Sequence, residues 1–537
     1  MLVSLLSLKK APSRELFILI MVKYRSECAS AAHTAIICKA CSFIGFERKN
    51  TSYCLIFFKY FYIIILISQI CGICFFEKKE KEVVMGAKLK KRYGLAMAIA
   101  MVVGIVIGSG VFFKAEKILV ATKGDLKLGI LSWVLGGIIM IVCAYAFAIL
   151  GTKYEKESGL IDYAEAVVGR KYGYMVGWFM AALYFPSLTA VIGWVPARYI
   201  CALLGMDITS GGCMAIGAAI ILLSFGLNTL GPMLSEKFQV STTVIKLIPL
   251  YAMAIIGSIV GLGNGTTMQN FKAVTTEHGM VGSTLLAAVV ASSFAYEGWI
   301  VATSINAELK DAKKNLPRAL AWGSIIIVVT YVLYYIGLAG AVSNDVVMAS
   351  GEQGAKIAFS NLFSRIGGIG LFIFVIISCL GTLNGMMLGC LRAWHALAVR
   401  NEGYKPELLS QVDEKTNMPV NSAVLSITLI GVWYVYFYGA NLVPKPWFGA
   451  FSFDTSELPI ITLYAMYIPI FLLMMKTERL HNPFKHYVVP ILAILACIFM
   501  LIATIITYKV TVVYYLLVFA VIMIVGLVKV NRPEKLS

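Results

Sequence analysis

From residue 94 onward the chain alternates between apolar runs of roughly twenty residues and short polar connections. Twelve such runs stand out, near 94–118, 129–151, 173–203, 212–230, 238–262, 282–305, 320–342, 367–398, 420–439, 457–475, 487–507 and 511–528. About 17 to 25 apolar residues carry a helix across a bilayer, so the pattern predicts an all-α integral membrane protein with twelve spans. Two of the runs carry internal breaks. The first holds Gly108-Ser109-Gly110, and glycines that close together weaken a helix. The sixth holds Ser293-Phe294-Ala295-Tyr296-Glu297-Gly298-Trp299. In hydrocarbon an unwound backbone is tolerated only where its polar groups face protein, water or ligand. Interrupted spans at matching places in two halves of a chain point to the binding site of a secondary transporter.

Composition agrees with the pattern. Of 537 residues, 59% are hydrophobic and 14% charged, against about 25% charged in a soluble domain. The formal net charge of +18 is spread over short loops and forms no basic patch interleaved with aromatics, so the partner it implies is the lipid bilayer and no nucleic acid is expected. With the Met85 end inside, basic residues in the inner loops outnumber those in the outer loops by more than two to one, although Lys114, Lys117, Lys123 and Lys127 run against the trend. The positive-inside rule then places both ends of a multi-pass cell-membrane protein in the cytoplasm.

Residues 1–84 read differently from the remainder. They hold one imperfect apolar run interrupted by Lys59, and half of the 12 cysteines. Lys81-Glu82-Val83, just before Met85, can be encoded by a purine-rich ribosome-binding sequence. The segment is therefore expected to be a translated upstream region, with a further membrane segment as the alternative, and residues 85–537 form the core. Cys38-x-x-Cys41 and Cys71-x-x-Cys74 enclose an apolar run and fit no usual zinc spacing. The five histidines form no ligand set either, so no metal and no cofactor is expected. Neither a nucleophile–base motif, a phosphate loop nor an ion-selectivity filter occurs, which disfavours a membrane-embedded enzyme or a channel.

The two breaks supply complementary chemistry for a zwitterion. At Val106, Ile107, Gly108, Ser109 and Gly110 the outer half-helix begins, and its free N–H groups and positive dipole end suit a carboxylate. At Phe294, Ala295, Tyr296, Glu297 and Gly298 the preceding half-helix ends in carbonyls that suit an ammonium. A small-residue packing face is the plainer alternative for Gly-Ser-Gly. Phe294 is the aromatic placed to cap a substrate. Lys246 falls well inside the fifth run, where a charge is costly, and reads either as a coupling group or as a snorkelling lysine. Glu297 has three open readings: recognition of a cationic side chain, proton binding, or a structural acid. The charged loop Asn306 to Arg318 reads as a solvated turn or a gate, with Pro317 in the first turn of the seventh span and Asn315 as a possible cap.

These residues resemble the amino acid–polyamine–organocation transporters, in the branch of bacterial serine/threonine-type exchangers and L-type amino acid transporters. The resemblance runs from Met85 to about residue 530 and is carried by Val106 to Phe112, Phe294 to Trp299, Glu308-Leu309-Lys310, Asn315 to Ala319, and Gly381-Thr382-Leu383-Asn384-Gly385. It implies a LeuT-type 5+5 inverted repeat with 12 transmembrane helices: one repeat over about 94–262, the second over about 282–475, and two appended helices over about 487–528. It also implies that Val106, Ser109 and Gly110 hold a substrate's carboxylate side, and that Phe294 and the backbone near Glu297 meet its amine. Lys246 matches the lysine thought to replace a sodium ion in sodium-independent members. Many members have Gly at position 297 and others Asp, so Glu297 departs from the pattern. The implied activity is sodium-independent amino acid transport by alternating access, through exchange or with the proton as co-substrate. A polyamine or cationic amino acid antiporter is the alternative. No heavy-chain subunit is expected, since Cys213 lies at a helix start.

Overall fold

The computed structural model describes residues 83–84, 91–154, 158–230, 232–272, 281–350, 353–413, 416, 418–477 and 482–530. Apart from Val83 and Val84, the segment 1–84 lies outside them. In chain order the helices are α1 (Leu95–Val106), α2 (Gly110–Ala121), α3 (Leu126–Lys153), α4 (Leu160–Val167), α5 (Arg170–Phe179), α6 (Phe185–Leu204), α7 (Gly211–Leu230), α8 (Pro232–Ala252), α9 (Ser258–Gly263) and α10 (Thr266–Lys272). They continue with α11 (Val281–Ser293), α12 (Ala312–Ala341), α13 (Asn344–Ser350), α14 (Gln353–Ala398), α15 (Pro406–Leu409), α16 (Val420–Phe437), α17 (Leu458–Thr477), α18 (Val489–Tyr508) and α19 (Val510–Val530). One short antiparallel pair joins β1 (Val83–Val84) to β2 (Val412–Asp413).

Eleven helical segments among the described residues are long and apolar enough to cross a membrane. They overlap eleven of the twelve predicted runs. The run at 282–305 is the exception, because its helix stops at Ser293 and the chain continues in 3₁₀ geometry over Phe294–Tyr296 and Trp299–Glu308. Two other spans change pitch without breaking: π turns at Met180–Tyr184 and Met253–Gly257 join α5 to α6 and α8 to α9. Within α14 the backbone departs from helix at Phe363 and Ser364, where φ is +67° at the serine.

Local chemistry sets several of these boundaries. Asp125 caps α3, its carboxylate accepting from the Lys127 and Leu128 amides at 2.9 and 3.1 Å. Helix α6 ends on Gly205 in the left-handed region. The seventh span starts at Ala312, a turn earlier than the sequence suggests. Pro317 therefore sits in its second turn, Asp311 holds the cap position, and Asn315 donates to the Lys310 carbonyl instead of capping.

Glycines allow two crossings at backbone contact. A Cβ at Gly337 would fall on the Met253 carbonyl, and one at Gly261 would strike Gly340. The turn joining α8 to α9 thus lies directly against α12. Elsewhere α6 packs along α14, and α12 along α3 and α1.

A buried polar network joins α7, α8 and α14. The Asn384 amide donates to Gln239 Oε1 at 3.0 Å, while its carbonyl oxygen accepts from Asn228 at 3.0 Å and from the Ser235 hydroxyl at 3.1 Å. Replacing it with an isosteric apolar residue strands those partners, at a cost of about 1–3 kcal/mol per unsatisfied group. Asn384→Leu should lower the melting temperature of the detergent-solubilised protein, as followed by tryptophan fluorescence or size-exclusion after heating.

Candidate functional site

The first break is a true loss of helix. Ile107 leaves helical geometry (φ −76°, ψ 91°), the Gly108 amide turns back to the Val106 carbonyl at 2.9 Å, and α2 restarts at Gly110. The Gly104 carbonyl loses the partner that a continuous helix would give it. At the second break Gly298 takes φ +104°, a left-handed conformation that suits glycine. The following ten-residue 3₁₀ stretch is long for that geometry, which rarely exceeds about 3–4 residues.

The two breaks cross one another. A Cβ on Gly110 would lie 2.9 Å from Ala295 Cα, and one on Gly298 would lie 2.5 Å from Ile105 Cγ2. Both glycines are therefore there for close approach. The Tyr331 hydroxyl of α12 sits 2.9 Å from the Val106 carbonyl and 2.9 Å from the Ala295 carbonyl, bridging the unwound segments.

Lys246 serves the same need from α8. Its side chain is fully buried (0% exposed), and Nζ donates to the Gly104 and Ile107 carbonyls at 2.6 Å each and to the Ser378 carbonyl at 3.1 Å. Three acceptors match the three N–H bonds of an ammonium. The Ser378 hydroxyl adds a contact to the Ile107 carbonyl at 3.2 Å, and Thr382 one to the Gly104 carbonyl at 3.2 Å. Gly381 lets α14 close on α8 beside the lysine, since a Cβ there would lie 2.4 Å from the Thr242 hydroxyl oxygen. The lysine reaches across to the first break and does not snorkel to an interface.

A cavity opens where the breaks meet. Val106, Gly108, Ser109, Gly110, Glu297 and Gly298 line it, together with one face of α6 (Leu188, Ile192, Val195), one face of α14 (Cys379, Thr382, Met386), Ile105 and Ile460. The N-terminus of α2 begins at this cavity, so its leading N–H groups have no intrahelical acceptors. The Glu297 carboxylate is buried (8% exposed) and accepts a hydrogen bond from the Tyr184 hydroxyl at 2.5 Å. Among the described residues no lysine or arginine pairs with it.

Not every residue singled out from the sequence lines the cavity. Ile107 and Lys246 lie behind the first break, joined through the Ile107 carbonyl. Ala295 contributes its carbonyl to Tyr331, and the Tyr296 ring packs edge-on against Trp133 with its hydroxyl on the Trp133 carbonyl at 2.7 Å. The structure describes the backbone of Phe294 but not its side chain. Sequence reasoning missed Tyr184 and Tyr331. Tyr184 had one local signal, the Pro186 two residues later inside an apolar run; Tyr331 had none.

Ion pairs stand on either side of the cavity. Towards the α12 N-terminus, Glu308 binds Arg392 at 2.6 Å and approaches Arg92, and Arg400 pairs with Asp162 and, at 2.7 Å, with Glu165. Arg170 pairs with Glu402 at 2.8 Å. Towards the other end, Lys114 of α2 binds Glu457 at 2.5 Å, and Tyr508 also reaches that carboxylate.

A multi-pass helical membrane protein with two crossed, unwound spans around a buried polar cavity belongs to the class of solute transporters. Its sequence relationships agree: the profile of the amino acid permease family matches residues 93–528. The chain belongs to that family, and is an amino acid transporter of the amino acid–polyamine–organocation superfamily. It is 30% identical over 426 residues to the serine/threonine exchanger SteT of Bacillus subtilis (strain 168), covering 78% of this chain and 92% of that one. It is 25% identical over 423 residues to the human cystine/glutamate transporter, covering 77% and 80%. With the mouse large neutral amino acids transporter small subunit 2 it shares 28% identity over 345 residues, 62% of this chain and 63% of the relative.

The crossing predicts which glycines matter. Gly110→Ala and Gly298→Ala should each lower thermal stability and transport, the second with an added backbone cost of about 1–3 kcal/mol for a non-glycine residue held in a sparsely populated conformation. Gly226→Ala, where a Cβ would meet nothing within 4 Å, should leave both unchanged.

Proposed function

We propose that the protein carries amino acids across the cell membrane by alternating access, binding one molecule at the crossing of the two broken helices. The observation that carries this reading is the cavity itself. It is flanked by the start of α2, whose amides suit a carboxylate, and by Glu297 and Gly298 of the second break, where the buried carboxylate suits an ammonium. The breaks fall in the first and sixth predicted spans, the same place in two groups of five, which supports a LeuT-type 5+5 inverted repeat with the last two of twelve spans appended. Ion pairs beyond both ends of the cavity supply contacts for opening one side at a time. Charge balance favours both termini in the cytoplasm, and residues 1–84 are read as an addition to the transporter core.

Sodium independence follows from Lys246. Its ammonium already fills the ring of backbone oxygens left by the first break, where a small cation would otherwise be held. Uptake into proteoliposomes should therefore persist when sodium is replaced by choline. Lys246→Met keeps the apolar stem but takes the charged donor away from the Gly104 and Ile107 carbonyls, which are left with only the Thr382 and Ser378 hydroxyls, a loss of about 1–3 kcal/mol. That variant should reach the membrane at wild-type level and transport nothing; normal transport would remove the coupling role.

Glu297 favours a second feature of the substrate. A buried carboxylate whose partners among the described residues are the Tyr184 hydroxyl and the Gly298 amide, with no cation beside it, suits either a cationic side chain or a proton carried alongside the substrate. Removing it separates the two. If it recognises a cation, Glu297→Gly lowers arginine and lysine uptake more than serine or leucine uptake. An equal loss for all four, together with loss of the response to a proton gradient, assigns it to proton coupling instead.

A further inference from the structure

A second cavity lies further along the same seam. The face of α14 that lines the central cavity with Cys379, Thr382 and Met386 continues, at the same three-and-four spacing, into Gly389, Ala393 and Ala396 of the second. On α6, Leu188 and Ile192 line the first cavity and Phe185 the second. At a helical rise of 1.5 Å per residue, Thr382 and Arg392 are about 15 Å apart along α14. At the second cavity the Phe185 ring is laid on Gly389, where a Cβ would lie 2.7 Å from the ring and 2.9 Å from Val301. Beyond the second cavity stand the pairs of Arg400 with Asp162 and Glu165, on the side that the charge balance assigns to the cytoplasm.

This second space collects buried polar atoms that have no partner among the described residues. Arg392 Nη2, His395 Nε2, Ser158 Oγ and Ser304 Oγ are all buried, all on residues that line it, and none has a hydrogen-bond partner among the described residues. Arg392, His395 and Ser158 are 4%, 3% and 8% exposed. Buried polar atoms in folded proteins almost always have partners, so four around one cavity mark a place where a polar molecule binds. Their chemistry is two-sided. Arg392 is held by Glu308 at 2.6 Å and by the Leu388 carbonyl at 3.2 Å, with the Tyr93 hydroxyl also beside the guanidinium, and Nη2 remains a charged donor. His395 Nδ1 faces the Leu409 carbonyl at 3.4 Å. A carbonyl can only accept, so the ring proton sits on Nδ1 and Nε2 presents a lone pair. A donor for a carboxylate and an acceptor for an amine thus share one cavity, with a serine hydroxyl from either wall able to serve both.

We propose that this cavity is a second binding site for a zwitterionic amino acid, occupied on the cytoplasmic side of the central site during each transport cycle. Its carboxylate is held by Arg392 Nη2 and its amine by His395 Nε2. The proposal rests on the amino acid transport reading, and movement of Phe185 off Gly389 connects the two sites.

Equilibrium binding of radiolabelled L-arginine and, separately, L-serine to the purified full-length protein tests it, with proteoliposome uptake of the same two compounds measured in parallel. For an amino acid that is taken up, the wild type should bind two molecules per chain. Ser304→Leu, which fills the second cavity without touching the Arg392–Glu308 pair, should bind one. His395→Phe serves if that variant fails to fold; it removes the Nε2 acceptor and should weaken only the second site, by about tenfold for one lost hydrogen bond. Uptake with a single bound molecule in the wild type overturns the second site and leaves the transport reading standing. Two molecules bound equally by wild type and both variants also overturn it. Absence of both binding and uptake for every amino acid tried sinks the transport reading, and this inference with it.

Discussion

A peptide group inside a bilayer must find a hydrogen bond, and the two broken helices place several of them in jeopardy. The structure answers with two side chains from elsewhere in the chain. The Lys246 ammonium gathers the carbonyls of Gly104, Ile107 and Ser378, and the Tyr331 hydroxyl stands between those of Val106 and Ala295. Through these bonds α8 and α12 hold the unwound segments open without letting them collapse into helix. The cavity, the exposed α2 terminus and the position of Glu297 all follow from that support.

The same bonds explain why small residues surround the breaks. Gly381 lets α14 close on Thr242 of α8, next to Lys246, while Gly110 and Gly298 let one unwound strand lie on the other. Ser378 and Thr382, on the neighbouring turns of α14, add hydroxyls to the same carbonyls. The segment Gly381 to Gly385 therefore does two jobs. Its first residues serve the break, and Asn384 fastens α14 to α7 and α8 on the other face.

Much of this was legible in the residues, and the exceptions have physical causes. Apolar runs locate spans because the bilayer demands length and hydrophobicity, and both breaks announced themselves through glycines or a charge inside a run. Lys246 stood out because a cation is costly there. The unwinding after Ser293 was deeper than the sequence suggests: the chain from Trp299 to Glu308 is apolar enough to read as helix, yet it is held as 3₁₀ by its crossing with α1. The start of α12 was displaced because Asp311, in a left-handed conformation, ends the loop before Asn315 is reached. Tyr331 was invisible as a site residue, and Tyr184 had only the nearby Pro186 to mark it. Each lies far along the chain from the group it serves, and an isolated tyrosine in an apolar run looks like any other.

The glycine contacts between the α8–α9 turn and α12 carry a consequence for anyone following motion in this molecule. Two backbones in direct touch, at Met253 with Gly337 and at Gly261 with Gly340, have no intervening side chains to slide or rotate. Probes attached on the lipid-facing side of that junction, for instance at Ile256 and Val329, should keep a constant separation while others change. The junction is a built-in ruler against which spectroscopic distances elsewhere in the protein can be calibrated.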